Sequence, residues 1–310
     1  MATKAHRNKT IELSVKETKS YLSHALKLKD IKEDISQKLF SDKTISGDSF
    51  KIMPKLPESF ADLCIIDPPY NLTKNYNGNV FNRMKSSDYI EYTRSWLIEV
   101  KRLLKEDASI YVCCDWQSSI LVAPLLSDFF IIRNRITWQR EKGRGAASNW
   151  KNIMEDIWFC TNGKDYTFNL EAVKQRRKVL APYTSNGLPK DWKKTEGGNF
   201  RDTCPSNFWN DITVPFWSMP ENTDHPAQKP EKLLAKLILA SSNPGDMVFD
   251  PFMGSGSTLV TAKKLGRHYL GIELEEKYVA LCEYRLSMAE KNNAIQGYED
   301  GVFWERNSQK

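Results

Sequence analysis

The chain of 310 residues contains no apolar run approaching the ~20 residues that a helical membrane span needs, which argues against a helical membrane protein. Met1 to Thr10 are basic and polar with no apolar core, so a secretory signal is not expected and a cytoplasmic setting is. Cysteine is scarce: six residues, at positions 64, 113, 114, 160, 204 and 282, with no Cys-x-x-Cys pair among them. Buried, reduced thiols follow from that, rather than a disulfide framework or a metal site. There is no internal repeat, which argues against a solenoid, and no low-complexity tract. Nor is there a large excess of charge. Lysine and arginine number 45 against 39 acids, a net +6 that permits a polyanionic partner without requiring one. Local clustering is then the more telling feature.

What is present is an α/β pattern. Apolar residues make up 40% of the chain, enough to build one full domain core with an insertion. The run Ala61-Asp62-Leu63-Cys64-Ile65-Ile66 reads as a buried strand and ends in Asp67-Pro68-Pro69-Tyr70. Proline cannot continue a sheet ladder and holds the preceding residue extended. A carboxylate, a stiffened backbone and an aromatic ring are thus offered at a strand's C-terminal edge, where open α/β sheets bind ligands. A simple turn is the alternative.

A second strand, Met247-Val248-Phe249-Asp250, also ends in an acid and passes through Pro251-Phe252-Met253-Gly254-Ser255-Gly256-Ser257-Thr258 into a helix. The glycines allow close backbone approach to a ligand. A third strand, His268 to Glu273, places an acid about twenty residues beyond them, the position of a ribose-binding carboxylate in nucleotide-binding βαβ units. The third glycine of the dinucleotide fingerprint is missing, which disfavours a nicotinamide cofactor.

The two motifs in this order resemble those of the DNA amino-methyltransferases that use S-adenosylmethionine. Asp-Pro-Pro-Tyr is similar to their catalytic motif, and Asp-Pro-Phe-Met-Gly-Ser-Gly-Ser-Thr to their cofactor loop. The catalytic motif coming first marks the circularly permuted β class. His225-Pro226-Ala227-Gln228-Lys229-Pro230 matches a further motif of that class, just upstream of the cofactor loop.

The resemblance spans roughly residues 44–290. It implies a circularly permuted, Rossmann-like methyltransferase sheet with helices on both faces and an inserted DNA-recognition region. The expected division is a basic N-terminal extension (1–43), a catalytic half (44–162), a target-recognition insertion (163–222), a cofactor-binding half (223–290) and a tail (291–310). A bacterial cytoplasm or nucleoid is the implied setting. Duplex DNA is the implied partner, and the class admits a homodimer and a cognate restriction endonuclease as well.

Residue roles follow from the same likeness. Asp67 and the Pro68 carbonyl would accept the hydrogens of the target amine, Pro69 would stiffen that geometry, and Tyr70 would stack on an extruded base. On the cofactor side, Asp250 would meet the ammonium, Ser257 and Thr258 the carboxylate, and Glu273 the ribose, with Asp67 also touching the cofactor. Gly254, Ser255 and Gly256 would admit the methionine portion beside Phe252. Asp48 would meet the adenine amine or cap the next helix. Lys229 would pair with the cofactor carboxylate or sit exposed at a helix start, and His225 would be structural. No metal is called for.

Elsewhere, residues 1–40 read as a basic tail with one or two helices, and 71–79 as a loop next to the site, a lid or a surface turn. Asp88 to Leu104 and Ile120 to Leu126 read as helices, the second interrupted by Pro124. Lys142 and Arg144 lie on a basic, glycine-bearing loop suited to phosphates. The stretch 163–222 loses periodicity and clusters Arg176, Arg177, Lys193 and Lys194, expected to meet DNA.

Adenine N6 in duplex DNA is the expected target, because relatives with serine in place of Asp67 mostly modify cytosine N4. Rival readings are a cytosine-N4 enzyme, a methyltransferase for RNA or protein, a non-catalytic DNA-binding protein of the same fold, and a nicotinamide enzyme.

Overall fold

In the computed structural model, which describes residues 7–31, 37–140, 147–180, 183–195 and 197–305, a nine-stranded sheet organises the chain. Its strands are β1 (Leu26–Lys27), β2 (Lys43–Ser46), β3 (Ala61–Ile66), β4 (Leu104–Cys114), β5 (Ile131–Gln139), β6 (Met154–Thr161), β7 (Phe208–Trp209), β8 (Met247–Asp250) and β9 (His268–Glu273). In space they run β1-β2-β9-β8-β3-β4-β6-β5-β7. Neighbours are parallel except around β6, which is antiparallel to both β4 and β5. The longer helices are α1 (Val15–Leu22), α2 (Ser86–Leu103), α3 (Trp116–Phe129), α4 (Glu231–Ser241), α5 (Ser257–Lys264) and α6 (Glu276–Ala289).

Burial on both faces explains the unbroken apolar runs. Along β3, Cys64 and Ile66 enter one core, while Leu63 and Ile65 enter the other. The first core is closed by α2 through Trp96, Leu97 and Val100 and by α3 through Val122 and Leu126. The second is closed by Leu233 and Leu237 of α4, Leu259 of α5, and Val279 and Leu286 of α6. Each fully buried side chain of this size contributes about 1.5–3 kcal/mol. The α/β sheet with helices on both faces is therefore the architecture the sequence called for.

One expected break is absent. Helix α3 runs from Trp116 to Phe129 with Pro124 inside it. Proline there removes one backbone hydrogen bond, but Asp115 caps the helix start by accepting from the Gln117 and Ser118 N–H groups. Val122, Leu125 and Leu126 then pack on either side of the proline.

Strand order creates a switch point. From β8 the chain crosses through α5 to β9, and from β3 it crosses through α2 to β4 on the opposite side. Yet β8 and β3 are paired neighbours, with Val248 opposite Leu63 and Phe249 opposite Cys64. Chains that leave adjacent strands in opposite directions open a crevice at their carboxyl ends. Asp67 and Asp250 both stand at that crevice.

Residues in 163–222 build a second, five-stranded sheet in the order Lys193–Thr195, Gly198–Thr203, Gln175–Lys178, Val302–Trp304, Tyr298–Glu299. The last two strands come from the expected tail. Phe303 pairs parallel with Gln175 and is fully buried. Three of its five strands have only two or three residues, too short to show a period. At the other end, α1 lies on α6, with Tyr21 edge-on to Tyr284 at 5.3 Å. The Lys9 and Ile11 N–H groups donate to the Trp217 and Asn222 carbonyls. Among the described residues no helix is long and apolar enough to cross a membrane.

Candidate active site

A cavity of about 420 Å³ fills the switch point. Asp67, Pro68, Pro69 and Tyr70 form one wall; Asp250, Phe252, Gly254, Ser255, Ser257 and Thr258 form the facing one. Asp48 and Glu273 close the sides, so the sequence-distant acids converge on one space. Gly256 is not on the wall; it is packed against α6.

At the C-terminal end of β3 both Asp67 oxygens are engaged. Oδ1 accepts from the Tyr70 hydroxyl at 2.7 Å and Oδ2 from Lys229 Nζ at 2.6 Å. Lys229 also donates to the Tyr70 oxygen at 3.2 Å. Burial and the adjacent Asp67 charge push the Tyr70 phenol well above its usual range, so it stays a protonated donor. Burial works against the Lys229 charge, but Asp67 and Glu155 outweigh it and hold the ammonium above its ordinary value. Tyr89 on α2 donates to the Pro69 carbonyl at 3.0 Å and fixes the double proline from behind.

Lys229 is thus not exposed at a helix start: it is 7% exposed and bonded to Asp67 at the end of β3. Its presentation explains the surrounding motif. Gln228 accepts from the Thr223 N–H and hydroxyl and donates to the Glu221 carbonyl, which fixes the loop. Pro230 then starts α4, leaving Lys229 turned towards β3. His225 packs edge-on to Tyr278 at 4.5 Å, and burial lowers its pKa to about 4, so it is neutral at pH 7.

On the cofactor side, Gly254 and Gly256 take φ of +53° and +78°, the left-handed region that glycine favours. The Gly254 N–H donates to Glu273 Oε2 at 3.0 Å, and the Met253 N–H to the Ile272 carbonyl at 3.0 Å. Arg285 on α6 holds the same loop through the Ser255 carbonyl at 2.8 Å and the Ser257 hydroxyl at 3.0 Å. Asp250 accepts the Phe252 N–H, and Asp48 caps the one-turn helix at Ser49 through the Phe50 N–H. Burial raises the pKa of Asp250 and of Glu273 to about 7. Neither has a salt-bridge partner among the described residues. Two destabilised carboxylates lining one cavity make a pocket suited to a cation.

Residues 74–81 roof the cavity as a hairpin, Lys74–Tyr76 against Asn79–Phe81. Asn71 staples its base by donating to the Met84 carbonyl and accepting the Met84 N–H. Asn77 and Asn79 at the tip bond to Glu275. Lys74 reaches the Pro226 carbonyl at 3.3 Å. The hairpin is a lining element of the site rather than a detached surface turn. The stretch read as a lid or a surface turn thus does line the cavity, whereas Glu275, which anchors its tip, carries no signal in the sequence.

The expected DNA-facing residues separate into three groups. Lys142 and Arg144 lie outside the described residues. Lys193 and Lys194 are exposed on the five-stranded sheet. Arg176 grips Asp202 through two bonds of 2.8 Å and lies over the Trp304 ring, and Arg177 pairs with Glu305 at 3.7 Å. Among the described residues no group of three or more His, Cys, Asp or Glu side chains is placed to hold a metal.

A largely parallel sheet opening at a switch point onto two acid-tipped strands and a glycine loop defines an α/β enzyme of the nucleotide-cofactor type. Within that class the family is specific. A family model described as DNA methylase, of the N6/N4 type, matches residues 61–283, and the chain belongs to this family. It is 33% identical over 253 residues to the DNA adenine methyltransferase YhdJ of Escherichia coli strain K12, covering 81% of this chain and 84% of the relative. The cytosine-N4-specific PvuII DNA methyltransferase has a similar fold, with TM-score 0.58 at 18% identity, covering 81% of this chain and 92% of that one. A DNA modification methylase of Thermus thermophilus, assigned as such only by inference and solved with S-adenosyl-L-methionine, gives TM-score 0.54 at 18% identity, covering 86% and 99%.

Proposed function

We propose that this protein is a site-specific DNA methyltransferase that moves a methyl group from S-adenosyl-L-methionine to the exocyclic N6 of adenine, with the base turned out of the duplex. The reading rests on one observation: Asp67, bonded to Tyr70 and Lys229, shares a single cavity with the glycine loop and its two carboxylates.

The residues present fit the cofactor. Its sulfonium and ammonium are cations, and the cavity offers Asp250 and Glu273 with no salt-bridge partner of their own among the described residues. A cavity of about 420 Å³ falls in the range of small-ligand sites. Asp250 would hold the ammonium, Ser257 and Thr258 the carboxylate, Glu273 the ribose and Asp48 the adenine amine. Bound there, S-adenosyl-L-methionine supplies an electrophilic methyl group.

The chain's own task is to present the amine. That nitrogen is a poor nucleophile because its lone pair is delocalised into the ring. Asp67 accepts one of its hydrogens and the Pro68 carbonyl the other, which favours the tetrahedral nitrogen that attacks. Positioning of this kind supplies roughly 7–11 kcal/mol in favourable systems. Tyr70 offers a ring face to the everted base, a contact worth on the order of 1–3 kcal/mol. Exposed Lys193 and Lys194 serve phosphate contact, the sequence-independent part of DNA affinity.

Adenine is favoured by Asp67 and by the adenine-specific relative at 33% identity. Cytosine N4 is the second reading, favoured by the fold shared with the PvuII enzyme. Mass spectrometry of nucleosides from DNA treated with the protein tests both. N6-methyladenine is the expected product; N4-methylcytosine overturns the choice of base, and the absence of both overturns methyl transfer to DNA. Long-read sequencing of the same DNA gives the sequence context.

A further inference from the structure

Four charges form a continuous line behind the catalytic motif. Arg140 Nη1 meets Glu155 Oε1 at 2.5 Å, Glu155 Oε2 lies 3.4 Å from Lys229 Nζ, and Lys229 Nζ meets Asp67 Oδ2 at 2.6 Å. Two cations and two carboxylates cancel. Glu155 is 4% exposed and Lys229 is 7% exposed, so neither can turn to solvent for a partner. The two contacts made by Lys229 are unequal. Its contact with Asp67 is a hydrogen bond, whereas Glu155 Oε2 has no hydrogen-bond partner among the described residues. An ammonium between the half-buried Asp67 and the buried Glu155, bonded to the first and in ionic range of the second, has two available resting places.

We infer that Glu155 is a positioning residue for the reaction: it shares Lys229 with Asp67, so that Asp67 can release the ammonium and turn that oxygen to the substrate amine without leaving a buried charge unpaired. The inference rests on the methyltransferase reading above. Its physical basis is the asymmetry of buried ion pairs, in which losing one partner is far more damaging than exchanging partners. Tyr70 stays on the other oxygen of Asp67, so the carboxylate keeps its orientation while one acceptor site is exposed. Arg140 holds the far oxygen of Glu155 and keeps the second resting place within reach of Lys229.

Two measurements on the full-length protein test this. The first needs no activity: thermal unfolding of Asp67→Asn, Glu155→Gln and the double variant, without cofactor. If Lys229 is shared, each single variant leaves it one carboxylate and lowers Tm by a few degrees. The double variant strands the ammonium and lowers Tm by clearly more than the two single shifts combined. Additive shifts overturn the inference. The second is single-turnover methyl transfer at saturating DNA. Glu155→Gln should slow it about tenfold while the calorimetric affinity for S-adenosyl-L-methionine stays within about threefold. Glu155→Asp, which keeps the charge, should be faster than Glu155→Gln. A wild-type rate in Glu155→Gln, or equal losses of rate and cofactor affinity, overturns the positioning role. Should the wild-type protein methylate no DNA at all, the functional reading fails, while the unfolding cycle still decides whether Lys229 is shared.

Discussion

A Cβ atom placed on Gly256 would lie 2.0 Å from the sulfur of Cys282 and 2.7 Å from its Cβ. The cofactor loop is thus pressed against α6 at a point where neither partner has room to spare, and Gly256 carries a φ of +78° as well.

Gly256→Ala should therefore displace the loop, abolish measurable binding of S-adenosyl-L-methionine by calorimetry and lower Tm. Cys282→Gly in the same chain removes the clash but not the backbone strain, worth roughly 1–2 kcal/mol. Partial recovery of binding is expected in the double variant; none at all would locate the fault in conformation alone.

Asp67→Ala should eliminate methyl transfer and leave cofactor affinity within a few fold, because in the proposed arrangement Asp67 meets the substrate amine and Lys229 keeps Glu155 as a partner. Parallel calorimetry and methyl-incorporation assays check it. A matching collapse in cofactor binding would move Asp67 to the cofactor.

At Tyr70 ring and hydroxyl can be separated. The hydroxyl bonds Asp67 and Lys229, so Tyr70→Phe should slow transfer moderately by loosening the carboxylate. Tyr70→Ala, which also removes the stacking face, should be far slower, with Tyr70→Trp nearer to Phe. Fluorescence of 2-aminopurine at the target position, expected to weaken in Ala but not in Phe, reports the ring's part directly.

Asp250 and Glu273 set the pH dependence. Burial raises both folded pKa values to about 7, from 3.8 and 4.5, and the Glu273 charge adds to the shift of Asp250. Between those limits the folded state holds protons that the unfolded chain has released. Stability from these groups is thus full below the lower limit and is lost as pH rises towards and through 7. Asp250→Asn and Glu273→Gln should raise Tm at pH 8 relative to wild type and change it little at pH 4. Cofactor binding should run the opposite way, tightening in wild type from pH 6 to pH 8 and weakening in both variants.

Much of this site is legible in the sequence because both motifs sit at strand ends. An apolar run closed by an acid and a turn has one natural place in a doubly wound sheet, and β3 and β8 occupy neighbouring positions there. What cannot be read is side-chain pairing over long separations. Lys229 and Asp67 are 162 residues apart, and no spacing links them. Glu155 reads only as part of a strand, because period-2 patterning says which way a side chain points and not which charge it meets. The five-stranded sheet stays hidden for a different reason: its pieces are short and two of them come from the far end of the chain. Arg176 and Arg177 look like a basic patch only because Asp202 and Glu305, their partners, are too distant in sequence to be seen beside them.

The seating of α1 on α6 has an engineering consequence. Tyr21 touches Tyr284, and His24 comes within 4.0 Å of Glu283. Cutting the chain between β7 and α4 should therefore leave two fragments that reassociate, because α1 of the first packs on α6 of the second and β3 of the first pairs with β8 of the second.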